Sequence, residues 1–171
     1  VRVAARAIDF VLLTIVSFVG SLIASAALGS TFDYDAYRVA SSVISLVISL
    51  GAIVYFVYGE CVFGTTVGKL ILGVTVRSAA GGNPTLAQSF KRNAFVLPMY
   101  LGSAISAMIL LGSSEDIVGA MSSMLYGGTV GFLGTIATVG LSIALIISIS
   151  NSPNVQGFHD KMAESAVVSN R

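Results

Sequence analysis

Arg2-Val-Ala-Ala-Arg-Ala-Ile-Asp9 runs without a break into Phe10-Val-Leu-Leu-Thr-Ile-Val-Ser-Phe-Val-Gly-Ser-Leu-Ile-Ala-Ser-Ala-Ala-Leu-Gly29. The second stretch is apolar or small throughout and meets the length of about 20 residues that a bilayer-crossing helix needs. It is too long for a signal-peptide core and has no small-residue cleavage motif followed by a soluble domain, so it reads as a permanent span. In the first stretch, a helical turn of about 100° per residue puts Arg2, Arg6 and Asp9 on one narrow face. Arg6 and Asp9 stand at i,i+3, within reach of an ion pair. Charges at the mouth of a membrane helix are costly to keep and are candidates for function. The plainer alternative is an acid facing headgroup water, with the arginines snorkelling to anionic lipid.

Composition places the rest of the chain in the same setting. Only 10% of the 171 residues are charged and 55% are hydrophobic, with a mean hydropathy of +0.91. A soluble domain carries about 25% charged residues, so this is an integral membrane protein. One Cys and one His exclude a disulfide framework and a multi-thiolate metal site. No cofactor, metal or nucleic-acid partner is expected.

Four runs have spanning length, at about 8–29, 39–58, 94–112 and 129–150. Eight of the nine Lys/Arg then fall on one side, in the N-terminal segment, the 59–93 loop and the 151–171 tail. The positive-inside rule makes that side cytoplasmic, with both termini inside and Ser30–Arg38 and Ser113–Gly127 outside. Tyr34, Tyr37 and Tyr126 fall near the outer boundary and Tyr55 and Tyr58 near the inner one, as an aromatic belt would place them. Small residues recur at four-residue spacing: Ser17, Ser21, Ser25 and Gly29; Ser41, Ser45 and Ser49; Gly127, Gly131 and Thr135; Gly140, Ala144 and Ser148. Such stripes pack helices closely within the bundle, or present a face to a second copy or another subunit. Pro98 should kink the third span.

The 59–93 loop is structured. Thr65-Thr66 before Val-Gly-Lys-Leu-Ile-Leu and Gly73 after it predict a short helix. Val74-Thr-Val-Arg77 reads as a short strand and Ala79-Ala-Gly-Gly-Asn-Pro84 as a turn. Thr85-Leu-Ala-Gln88 is a capping box opening the next helix. A strand of this length cannot stand alone, and Ser165-Ala-Val-Val168 is its expected partner. Gly64–Lys69 has a GxxxGK spacing, but it is one residue short of a phosphate loop, no Ser/Thr follows Lys69 and no strand precedes it. Lys69 therefore faces lipid phosphate or a nearby carboxylate. Glu60 is expected to be exposed at the inner surface, and Cys61 to be a small interfacial hydrophobe.

Several of these motifs resemble the RDD family of prokaryotic membrane proteins. They are Arg2–Asp9, Gly64–Val76, Arg92-Asn93 and His159-Asp160-Lys161-Met-Ala163, and the resemblance spans nearly the whole chain. The family's arginine maps to Arg2, its first aspartate to Asp9 and its second to Asp160; Arg6 stands where the family is less restrictive. One departure is visible: Glu164-Ser165 stand where Gly-Thr is usual, which puts the turn geometry there in doubt.

The expected fold is an all-α membrane protein: one RDD-type transmembrane domain over 1–171, four helices with N-in/C-in topology, and a small cytoplasmic patch of one short helix and one strand pair. The expected site is an ionic cluster of Arg2, Arg6, Asp9 and Asp160 at the inner mouth of the bundle, supported by Glu60, Lys69, His159 and Lys161. The resemblance implies a transporter in a prokaryotic cell membrane, such as a monovalent cation/proton antiporter. The alternative is a non-transporting accessory subunit, and either reading expects a homo-oligomer or a larger membrane complex around it. Nothing sets a Ser, His and acid together, so no enzyme is expected.

Overall fold

The computed structural model describes residues 2–27, 34–113, 117–152 and 157–169. It is helical apart from one strand pair: α1 (Arg2–Ala27), α2 (Tyr34–Phe63), α3 (Val67–Ile71), β1 (Val74–Ser78), α4 (Leu86–Asn93), α5 (Leu97–Leu111), α6 (Ile117–Ser150), α7 (Phe158–Met162) and β2 (Ser165–Ser169). Among the described residues α1, α2 and α6 are long and apolar enough to cross a membrane, and a fourth span is counted only if the broken pair α4–α5 is taken as one. Phe18, Val47 and Phe132 turn outward with more than 60% exposure, a surface that lipid rather than water suits.

Three boundaries differ from the sequence reading. The helix expected at 39–58 extends to Tyr34 and Phe63. The helix expected from 129 starts at Ile117, so much of the outer loop expected at Ser113–Gly127 is helix. Gly127-Gly128 reads as a boundary, but glycine is tolerated inside membrane helices where another helix packs on it. Pro98 does not kink a continuous span. The chain breaks at Ala94–Val96, and Pro98 lies in the first turn of α5, where its missing N–H costs nothing. Of the outer loop expected at Ser30–Arg38, residues 30–33 lie outside the described residues and residues 34–38 open α2; Glu115 and Asp116 also lie outside the described residues.

The chain divides into two compact units. One comprises Leu13–Ala52 and Pro98–Ala137. In it a Cβ on Gly134 would lie 2.3 Å from the Pro98 carbonyl oxygen, and one on Gly102 would lie 3.0 Å from that of Val130. The backbones of α5 and α6 thus touch, and Gly127 and Gly131 lie against Ser106. This small-residue stripe is used inside the chain. Arg38 donates to the Leu110 carbonyl and to Ser113 Oγ (2.7 Å), which places a cation at the C-terminal end of α5, where the helix dipole favours it.

The other unit comprises Val1–Leu12, Ile53–Leu97 and Thr138–Arg171. Here β1 and β2 pair, as the sequence led one to expect; they run antiparallel, with Val76 opposite Val167. Val76 is fully buried, and its N–H bonds the Gly64 carbonyl at 2.6 Å. α3 ends at Ile71 with Leu72 as its cap, and the chain turns away at Gly73, whose φ of +65° suits glycine. The capping box at α4 is complete: Gln88 N donates to Thr85 Oγ1 and Thr85 N to Gln88 Oε1. It turns Ser89, Arg92 and Asn93 inward together, at i, i+3 and i+4. Glu164 takes φ +47° just before β2, a conformation that explains why glycine is the usual residue at the departure noted above.

A buried charge cluster as candidate functional site

Asp9 is fully buried and accepts three hydrogen bonds: from Tyr55 Oη at 2.6 Å, Thr66 Oγ1 at 2.7 Å and Gly68 N at 2.8 Å. Thr66 is the N-cap of α3, yet its hydroxyl makes no cap bond and points to Asp9 instead. The carboxylate on α1 therefore does the capping, taking a free N–H from the first turn of α3. Tyr55 also accepts the Val67 N–H at 2.8 Å, so α1, α2 and α3 meet at one carboxylate. The close approach depends on Gly68, where a Cβ would sit 2.1 Å from the Ala5 carbonyl oxygen.

A second carboxylate, Glu60 near the end of α2, is also fully buried. Three cations converge on it. Arg6 Nη2 lies 3.0 Å from Oε1, the Lys69 ammonium bonds the same oxygen, and Arg92 Nε stands 3.2 Å from Oε2. Arg92 continues to Asp160 Oδ1 at 2.6 Å and donates to Ser165 Oγ at 3.0 Å. His159 Nε2 lies 3.2 Å from the same Asp160 oxygen. Arg6 also donates to Asn93 Oδ1, and its guanidinium stacks over Phe56 (4.7 Å) and Phe95 (5.4 Å). Three cations and two carboxylates thus share one buried network, built from α1, α2, α3, α4 and α7.

With this geometry in view, one comparison decides the family. The model of the RDD family matches residues 1–164.

The chain belongs to the RDD family.

No curated protein and no solved structure matches it.

In this RDD protein Arg6 and Asp160 lie in the network around Glu60 and Arg92, while Asp9 is held by Tyr55, Thr66 and Gly68. Arg6 does not pair with Asp9 but reaches Glu60, because Asp9 is already taken by three neutral donors. Asp160 meets Arg92, a residue the sequence reading counted as a loop base and not as a site residue. The Arg2 side chain lies outside the described residues. Glu60, expected at the surface, is the hub, and burial is supportable there because cations from three elements surround it. Lys69 pairs with a carboxylate, one of its two expected partners, while Lys161 is exposed. Tyr55, read as an interfacial anchor, serves Asp9. Among the described residues no three His, Cys, Asp or Glu side chains gather to hold a metal.

Two groups outside the spans carry shifted protonation. Burial pushes the Lys69 ammonium down to about 7, against the pull of Glu60. Burial, with the Arg92 and Arg6 guanidiniums beside it, pushes His159 down to about 3, so the imidazole is neutral. Unfolded, it titrates near 6.5. Between these values the unfolded chain binds a proton that the folded chain refuses, so stability falls as pH falls through the window. The slope should reach about 1.4 kcal/mol per pH unit. Melting curves in detergent from about pH 4 to 8 should show it, and His159→Gln should flatten it.

Each unit holds a cavity. One, of about 200 Å³, is lined by Arg6, Lys69, Arg92 and His159 and, over most of its surface, by apolar residues of α1, α6 and the strand pair together with Phe95. The second, of about 330 Å³, lies in the Leu13–Ala52 and Pro98–Ala137 unit and is lined by hydroxyls together with apolar side chains, among them Ile44, Ile48 and Met99. Ser17, Ser21, Ser41, Ser45, Ser103 and Thr135 line it, and no charged side chain does. Ser17 Oγ donates to the Leu13 carbonyl, Ser21 to that of Ser17, Ser41 to that of Arg38 and Thr135 to that of Gly131. With the proton committed to the helix, each of these oxygens offers only lone pairs to the cavity.

Proposed function

We propose that this RDD-family protein is a multi-pass transporter of a prokaryotic cell membrane that exchanges a monovalent cation for a proton. The hydroxyl-lined cavity carries this reading. A wall of acceptor oxygens without a cation suits a species that is itself purely electropositive, and oxygen dipoles can replace part of an ion's hydration shell. Asp9 is held by three hydrogen bonds and Glu60 by three cations, so in this reading the ion is held by hydroxyls rather than by a carboxylate. Lys69 is the proton carrier in this reading, since its ammonium titrates near neutral pH. Both termini lie in the cytoplasm, by the placement of eight of the nine Lys/Arg.

The test is flux in proteoliposomes carrying a pH dye, with Na⁺, K⁺ or Li⁺ added in turn. The wild type should dissipate an imposed proton gradient with at least one of them. Ser45→Leu, which fills the cavity, should slow it at least about tenfold with no change in elution volume, since an apolar side chain cannot replace an ion's oxygen ligands. In right-side-out vesicles, external trypsin should spare the exposed Lys161 until the vesicles are opened. No flux with any of the three ions would favour the second reading, a subunit docked on a larger membrane complex or on another copy. One observation supports that reading: Gly140 on α6 faces open space, with exposed Ala144 one turn on, a face that another helix could approach closely.

A further inference from the structure

We propose that the cavity beside the charge cluster holds the phosphate head of an anionic phospholipid drawn from the surrounding bilayer. Its wall has two chemistries. Arg6, Lys69 and Arg92 line it, while neither Glu60 nor Asp160 does. Every charged residue on its wall is therefore a cation. With His159 neutral, the Arg6 and Arg92 guanidiniums carry a fixed charge there whatever the state of Lys69.

The larger part of the lining is apolar, including Val3 and Phe10 from α1, Phe95, and Leu145, Ile146 and Ile149 from α6. Val3 and Ile146 are about half exposed on helices that cross the membrane, at 54% and 46%. The cavity therefore borders the surface that acyl chains cover, and a head seated on the guanidiniums can leave its chains along that surface. Size narrows the ligand further. About 200 Å³ exceeds the roughly 150 Å³ that holds a benzene-sized guest but falls short of the roughly 300 Å³ of a drug-sized site. A phosphate with its first glycerol atoms fits; a nucleotide does not. Basic pockets between membrane helices are a recurrent setting for such heads. This inference goes beyond the transport reading and does not depend on it.

The experiment is native mass spectrometry of the full chain in mild detergent, with phosphatidylglycerol and phosphatidylcholine added in equal amounts. The cations on the wall should favour the net-anionic phosphatidylglycerol about fivefold. Ala7→Phe, at an exposed position on the cavity wall, should bring the ratio to about one without moving the lipid-free melting point. If Ala7→Phe does not fold, Ser142→Phe fills the same cavity from α6. Equal retention of the two lipids by the wild type would overturn the proposal, as would an undiminished preference in the filled variant. Displacement of phosphatidylglycerol by millimolar glycerol phosphate would also overturn it, since the site would then belong to a free anion.

Discussion

Glu60→Gln should cost this protein about 3–5 kcal/mol of stability, the range for stranding the partner of a buried ion pair. Glu60 is fully buried, and Arg6, Lys69 and Arg92 all bring charge to it. Glutamine keeps the shape and one acceptor but removes the charge. Three cations then face each other with only Asp160 to offset them. The fold can respond by deprotonating Lys69, whose ammonium burial has already pushed down to about 7, but the two guanidiniums have no such exit. Melting temperature and yield of monodisperse protein in detergent are the readouts. Adding Lys69→Gln should recover part of the loss, because the double variant removes one charge of each sign. A double-mutant cycle should give a coupling of about 1–3 kcal/mol. Strict additivity would mean that Lys69 and Glu60 do not interact.

Gly68→Ala should be nearly as damaging, for a reason that involves no charge. The added Cβ would sit 2.1 Å from the Ala5 carbonyl oxygen and 2.9 Å from Asp9 Oδ1. The first neighbour is helix backbone and cannot turn aside. α3 would have to back away from α1, which breaks the Gly68 N–H bond to Asp9 and pulls Thr66 from the same carboxylate. Overpacking and the loss of charge-assisted bonds together should cost about 3 kcal/mol or more. The control is Gly140→Ala. Gly140 lies within α6 with open space around it, and alanine there should be neutral or stabilising by up to about 1 kcal/mol. Equal melting temperatures for the two variants would refute the account of Gly68.

Much of the fold can be read from residues close together in sequence. Apolar run length locates α1, α2 and α6, and the Thr85–Gln88 pattern places α4 to the residue. The strand pair is legible because each strand is too short to survive without the other. The site is less legible, because its contacts are long-range. Asp9 reaches Thr66 and Gly68 across 57 and 59 positions, and Arg6 reaches Asn93 across 87. The i,i+3 spacing of Arg6 and Asp9 suggests a pair, but α3 supplies Asp9 with neutral donors in better positions. Glu60 closes an apolar run, where a carboxylate normally meets headgroup water, so nothing local marks it as buried. The available signal was the face of α4: Ser89, Arg92 and Asn93 share one side of a helix whose other side is apolar or exposed, and a buried arginine needs a buried acid.

The partnership of Arg92 with both Glu60 and the α7–β2 segment also sets an order of events. Ser165, which accepts a bond from Arg92, follows it by 73 residues in the chain. At a synthesis rate of about 5–20 residues per second, that interval is roughly 4–15 s. All of α5 and α6 emerge within it. Glu60 precedes Arg92 and is the acid ready to receive it as α4 appears; Asp160 arrives only after the last long helix. The nascent chain thus holds its guanidinium on a first carboxylate while the remaining helices insert, and the arrival of the second one closes the assembly.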